Sequence, residues 1–336
     1  MHNPVVIEAL RGALVESQHR GAVAVIDAEG GRVLMIGDVE QPIYPRSAVK
    51  ALQALVMMEV GAAERFELRD EELALACASH SGEPDHVAGV VAMLARAGLD
   101  EGALLCGKHW PLHQPSALAL ARNGGAASAL HNNCSGKHAG FLCAACAMGC
   151  DPTNYVDHAH PVQQAVKAVL EALGGQTISD AHRGTDGCSV PTFAMSLASL
   201  ARAFARFGTG HGLPRERAAA AQRLRAACAA HPWHVAGTGR FCTEVMTSLR
   251  KRVFVKAGAE GVYCAALPEQ GLGLAVKIDD GAARAAESAI AAVIARFLPR
   301  DDDGRVAIER FARPVLRNWN RTPIGALKPT AALLSY

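Results

Sequence analysis

The spacing of hydrophobic positions changes twice along this chain. Near the start, Ala22–Ile26 and Val33–Gly37 are short apolar runs separated by Asp27-Ala-Glu-Gly-Gly31. That layout predicts two strands joined by a hairpin loop whose glycines can take a positive φ. From about residue 48 the spacing becomes helical. Ala48–Val60 is polar only at Lys50, Gln53 and Glu59, so it predicts a helix that is apolar nearly all round, with Gly61 as its stop. Asp70–Cys77 predicts another helix, with acidic residues in its first turn where the helix dipole favours them. Helices are also predicted over Val87–Ala97, about Ala139–Met148, Val162–Leu173, Thr192–Phe207 and Arg215–Ala230. After Lys251 the pattern returns to that of strands, at Val253–Ala257, Gly261–Ala266 and Gly271–Lys277. Ala282–Phe297 predicts a long closing helix, and past Pro299 only a short helix is legible.

Strands at both ends around a helical middle predict an α+β protein whose antiparallel sheet is assembled from the two termini. The expected organisation is a single two-lobed catalytic domain over 1–336. Its sheet lobe takes approximately 1–45 and 250–300, and its helical lobe approximately 46–249. The 336 residues are 50% hydrophobic, enough for a sizeable core, and the net charge is +2. No long run of one sign points to nucleic acid or an anionic membrane. No stretch of 18 unbroken apolar residues occurs, and Met1-His-Asn-Pro-Val-Val-Ile-Glu8 lacks a signal-peptide layout, so a cytoplasmic protein is expected. Its ten cysteines are then expected as thiols or metal ligands rather than disulfides.

Chemistry first shows at Tyr44-Pro-Arg-Ser-Ala-Val-Lys50. Residues three apart on a helix share a face, so Ser47 and Lys50 can meet. A serine hydroxyl needs a base to take its proton, and a desolvated lysine amine can serve. By itself S-x-x-K says little, because 14 serines and 8 lysines supply about a third of a match by chance. A second copy, Ser248-Leu-Arg-Lys251, reads as a solvated helix end. What distinguishes Lys50 is the apolar helix carrying it, since a buried lysine must be paired or neutral. An ion pair with Glu59 or Glu244 is the structural alternative.

Several other stretches are too rich in polar groups to be plain connections. Ala78-Ser-His-Ser-Gly-Glu-Pro84 is either a helix stop or the source of a second cleft hydroxyl, Ser79. His131-Asn-Asn-Cys-Ser-Gly-Lys-His138 carries more chemistry than a helix cap needs. Thr185-Asp-Gly-Cys-Ser-Val-Pro191 predicts a turn before a helix; Cys188 there can join Cys134 at a metal, although their spacing does not require it. Cys143-Ala-Ala-Cys146 lies in an Ala/Met-rich helix, where cysteine packs as a small hydrophobe. Ala236-Gly-Thr-Gly-Arg240 is too short for a dinucleotide fingerprint and reads as a loop over a substrate or a helix connection. Lys256-Ala-Gly258 ends a strand as the K-T-G element of penicillin-recognising enzymes does, with alanine in place of threonine.

In their order these segments resemble the rhizobial-type (class 3) L-asparaginases. The resemblance rests on Arg46–Lys50, Ala78–Pro84, Asn133–Leu142, Asp186–Pro191, Val235–Arg240 and Phe254–Gly261. It implies a fold like that of serine β-lactamases and glutaminases, a homodimer, and hydrolysis of L-asparagine to aspartate and ammonia. It further implies two serine–lysine pairs, Ser47 with Lys50 and Ser79 with Lys256, and a zinc ion held by Cys134, Lys137 and Cys188. Arg46 is the candidate for the substrate α-carboxylate and Asp186 for its ammonium, with His138 also expected at the substrate. The competing readings are a penicillin-recognising hydrolase or esterase, and a zinc- or amino-acid-binding protein without turnover.

Overall fold

The computed structural model describes residues 2–299 and 303–335. The helices used below are α1 (Lys50–Glu59), α2 (Asp70–Ala76), α3 (Pro84–Arg96), α4 (Ser135–Met148), α5 (Leu197–Thr209), α6 (Arg215–Ala230), α7 (Ala283–Phe297) and α8 (Asp303–Ala312). The chain divides into two compact units. One comprises Met1–Ala48, Met195–Gly212 and Arg252–Tyr336; the other comprises Val49–Ala194 and Leu213–Lys251. The sheet-bearing unit therefore draws in residues 195–212 and the tail beyond 300, besides the two terminal stretches expected there.

In the sheet unit the strands are β1 (Val5–Arg11), β2 (Leu14–Asp27), β3 (Arg32–Ile36), β4 (Phe254–Ala257), β5 (Val262–Leu267), β6 (Leu272–Ile278), β7 (Val315–Arg317) and β8 (Pro323–Pro329). Their order is β7-β8-β1-β2-β6-β5-β4, with β3 also on β2, and the pairs are antiparallel. The α+β sheet built from both ends of the chain is thus observed. Strand β2 is its hub. Its first half pairs with β1, and its second half lies between β3 and β6. The β2–β3 loop closes as the glycines predict, with Asp27 Oδ1 accepting from Gly30 N at 2.9 Å and Gly31 N at 2.6 Å.

Alternate residues of a strand face opposite sides. On β5, Ala266 lies against Gly208 of α5, whereas the Tyr263 hydroxyl reaches Glu287 of α7 at 2.8 Å. A helix therefore covers each face, which is why β5 is buried along its whole length rather than at every second position.

The other unit is helical, with the short Arg183–Thr185/Pro191–Phe193 hairpin attached. Nine of the ten residues of α1 are buried, as its apolar circumference demands. The predicted Arg215–Ala230 helix is observed residue for residue as α6. The helix predicted over Thr192–Phe207 starts late, at Leu197. Pro191–Phe193 forms the return strand of the hairpin and Met195–Ser196 pairs with Pro42–Ile43, both before Ser196 caps α5 by accepting from Ser199 N. Strands β1, β7 and β8 were not predicted. No helix among the described residues is long and apolar enough to cross a membrane.

Candidate active site

Lys50 opens α1 on the buried side of the helical unit and is 1% exposed. Its Nζ lies 2.7 Å from Ala78 O, 3.1 Å from Ser79 Oγ and 3.3 Å from Asn133 O. The carboxylates that could have paired with it are elsewhere: Glu59 takes Arg217 at 2.9 Å, and no bond joins Glu244 to Lys50. Three acceptors match the three protons of an ammonium. Without its third proton the amine keeps two donors for the carbonyls and turns a lone pair to the Ser79 hydroxyl. The arrangement can therefore carry a proton in either direction between nitrogen and oxygen. The sequence logic of i and i+3 points to Ser47 as the neighbour of Lys50; within the helical unit the hydroxyl bonded to it is Ser79, 29 residues away.

Ser79 sits just past the end of α2, where its N–H donates to Val235 O at 2.9 Å. The next residues hold that position. His80 accepts from Gly82 N through Nδ1 and so donates through Nε2 to Ser135 Oγ, 2.9 Å away. Burial, followed by the charges of His86 and Lys50, drives the His80 pKa far below its ordinary value, so the ring is neutral.

A second cluster lies at the start of α4 and the tip of the Arg183–Phe193 hairpin. Lys137 Nζ is 3.0 Å from Cys188 Sγ, and Cys134 Sγ is 3.0 Å from Asn133 Oδ1. Cys188 stands on the hairpin loop, closed by Asp186 N to Val190 O and Ser189 N to Asp186 O, both 2.9 Å. The expected turn is thus a hairpin tip rather than a helix start. Its hydrogen bond to Cys188 holds Cys134 well below the usual thiol range, aided by the Lys50 and Lys137 charges, while the same bond and burial push Cys188 up. Burial works to lower the Lys137 pKa, but the Cys188 and Cys134 charges outweigh it and the value ends raised. Asp186 lies near enough to add to that effect. Two sulfurs and a nitrogen suit zinc, and both thiols and the lysine must lose protons to bind it. Among the described residues no three His, Cys, Asp or Glu side chains gather as a metal site, so a trio completed by lysine is the only form in which these residues fit one.

His138, expected at the substrate, is wholly buried. Its Nδ1 is 2.6 Å from the hydroxyl of Tyr155, which also accepts from Leu105 N at 2.9 Å, and its Nε2 is buried without a partner. Burial lowers its pKa far below the ordinary value, with Lys137 and Lys50 adding to the effect. It therefore packs as a neutral ring.

Arg46, Ser47 and Lys256 belong to the sheet unit. Arg46 has φ +52°, a conformation rare for a residue with a side chain and enriched at functional positions. Ser47 is part-exposed in the 3-10 turn Arg46–Val49 that leads into α1. Lys256 is 1% exposed on β4, its Nζ 3.0 Å from Ala257 O. The glycine of the K-x-G element has a steric reason. A Cβ on Gly258 would come within 2.7 Å of Pro45 O, so only glycine lets the end of β4 lie against the residue preceding Arg46.

Sequence reasoning passed over Glu83. This buried carboxylate accepts from Thr238 N at 2.8 Å and Thr238 Oγ1 at 2.7 Å, tying the Gly237–Arg240 turn to the stretch that carries Ser79. Gly237, at φ +111°, has room for no Cβ, which would meet Glu83 Oε1 at 2.6 Å and Ser81 Oγ at 2.7 Å. The available signal was Glu83-Pro84, a carboxylate directly before a helix-opening proline.

A buried lysine bonded to a serine hydroxyl is a base and hydroxyl pairing of the kind nucleophilic hydrolysis uses. The chain belongs to the L-asparaginase II family, whose family model matches residues 7–329. Among curated proteins the chain has no match. Solved structures similar to it include a beta-lactamase from Mycobacterium bovis, at 16% identity over 78% of this chain and 88% of that one, with a TM-score of 0.39. Mglu is similar at 14% identity over 90% and 73%, TM-score 0.38. The simvastatin synthase LovD from Aspergillus terreus is similar at 13% identity over 87% and 88%, TM-score 0.39. These overlaps are loose.

Proposed function

We propose that the protein is an L-asparagine amidohydrolase that works through a serine ester. The observation that carries this reading is the Lys50–Ser79 contact at 3.1 Å in a chain of the L-asparaginase II family. Ser47 Oγ attacks the side-chain amide carbon, and its proton passes by way of the Ser79 hydroxyl to Lys50, the lysine that hydroxyl is bonded to. The C–N bond then breaks as that proton passes to the departing nitrogen, releasing ammonia and leaving an aspartyl ester on Ser47. Water adds to the ester carbon, its proton is taken by the same lysine, and aspartate leaves as the proton returns to Ser47. Ser79 bridges Lys50 to the rest of the proton path, and Lys256 supports the second serine–lysine pair. The fixed turn at Arg46 presents a guanidinium suited to the substrate α-carboxylate, and Asp186 is suited to its ammonium.

Cys134, Lys137 and Cys188 would hold zinc. When bound, the ion supplies positive charge and Lewis acidity beside the substrate and neutralises the two thiolates. His138, held by the Tyr155 hydroxyl, completes the set of residues proposed at the substrate. The family resemblance adds a homodimer, checked by sedimentation.

The test is ammonia release from asparagine, glutamine and simpler amides by wild type, Ser47→Ala and Ser79→Ala. Asparagine is expected to be the preferred substrate, with Ser47→Ala nearly inactive and trapping no ester. Turnover like wild type in folded Ser47→Ala would remove Ser47 as the nucleophile, and no ammonia from any amide would remove the amidohydrolase reading.

A further inference from the structure

In the sheet unit, α7, α8 and the C-terminal segment line a half-open pocket of about 440 Å³, within the size range of small-molecule sites. Among the described residues three guanidinium groups line it, from Arg296 on α7, Arg305 on α8 and Arg313 just after α8, with one carboxylate, Glu309. The remaining wall is apolar, including Pro329 and Leu334. Arg305 Nε donates to Glu309 Oε1 at 3.1 Å, which accounts for one of the three cations. Arg296 Nη1 is buried and has no hydrogen-bond partner. A buried guanidinium N–H without an acceptor is costly, and folded proteins rarely keep one. Here it lines the same pocket as Arg313, and among the described lining residues two guanidinium groups remain after Glu309 takes Arg305.

We propose that this pocket is a binding site for a small organic anion, a carboxylate or phosphate carried on an apolar body. The planar fork of arginine donates two parallel bonds to either group, which a lysine cannot do. Arg296 and Arg313 hold the anionic head, the apolar wall takes the rest of the ligand, and Glu309 opposes anion entry while it holds Arg305. The inference is independent of the asparaginase reading, because no residue of the candidate active site takes part.

The experiment is calorimetric titration of the full chain with inorganic phosphate, phenyl phosphate and benzoate. Wild type, Arg296→Met, Arg313→Gln and Glu309→Gln are compared. One saturable site per chain is expected for phenyl phosphate or benzoate, and the stronger of the two identifies the head group. Arg296→Met and Arg313→Gln should each weaken it by about tenfold or more, and Glu309→Gln should tighten it severalfold. That opposition of sign is what a merely structural role for these residues would not produce. Arg313 follows the end of α8, so its variant stays informative if Arg296→Met fails to fold. Absence of binding by all three probes at millimolar concentration overturns the proposal. So do affinities unchanged in both arginine variants, or a Glu309→Gln variant that binds more weakly than wild type.

Discussion

Replacing Lys50 by methionine separates what this lysine does for the fold from what it does for the reaction. Methionine keeps the length and apolar stem of the side chain, and α1 is buried enough to accept it. Of the acceptors that lose Nζ, Asn133 O keeps the His80 N–H at 3.2 Å, whereas Ala78 O loses its 2.7 Å partner. One stripped buried carbonyl costs about 1–3 kcal/mol, partly offset because a charge no longer has to be buried. The protein should therefore remain folded, with a melting temperature lowered by a few degrees. The reaction should suffer more. Removing a positioned general base costs about 10²–10⁴ in rate, or roughly 3–5 kcal/mol of barrier. Ammonia release at saturating asparagine, measured beside a thermal melt, gives both quantities. A folded Lys50→Met protein whose turnover stays within about threefold of wild type would falsify the role given to Lys50.

Three further outcomes follow from the same geometry. His86 stacks on Trp233 at 4.0 Å and burial drops its pKa to about 4, so between that value and 6.5 only the unfolded chain takes the proton. Stability should then fall as pH drops from 6.5, by up to about 3 kcal/mol from this ring; urea unfolding that is flat between pH 6.5 and 5 rejects it. Glu83→Ala removes both bonds to Thr238, and hydrogen exchange across residues 237–240 should accelerate at least tenfold; unchanged exchange means that the turn holds itself. Cys188→Ser should reduce the zinc content of purified protein from about one ion per chain to near zero, read by elemental analysis, and retention of the metal shifts the ligand set elsewhere.

Local signals wrote the helices and the late strands plainly. Arg215–Ala230 is read from its helical spacing and the three strands after Lys251 from short apolar runs set off by glycine or proline turns, each to within a residue or two. Strand β1 escaped because its partners, β2 and β8, include residues more than 300 positions away, and nothing in Val5–Arg11 announces them. At Thr192–Ser196 the apolar run looked helical, but Pro191 before it and the capping Ser196 mark the late start. In the site, the sequence shows which residue types gather, as with Cys134, Lys137 and Cys188. It does not show that Lys50 bonds Ser79, because a contact between a helix start and a distant turn has no period to detect. The Glu83–Thr238 bonds likewise join distant stretches, and only the Glu83-Pro84 pair hints at them.

The hub position of β2 has a consequence for biosynthesis. Its Gly21–Asp27 edge pairs with β6, which lies some 245 residues later in the chain. At roughly 5–20 residues per second, a ribosome takes about 12–50 s to make that partner. Throughout that interval the nascent β1–β2–β3 meander carries an open, apolar strand edge, the kind of surface that recruits other chains. Residues 49–194 emerge meanwhile and supply most of the second compact unit. Yield in a cell should therefore be limited by how well that early edge is shielded, and slower translation should harm it more than modest loss of final stability.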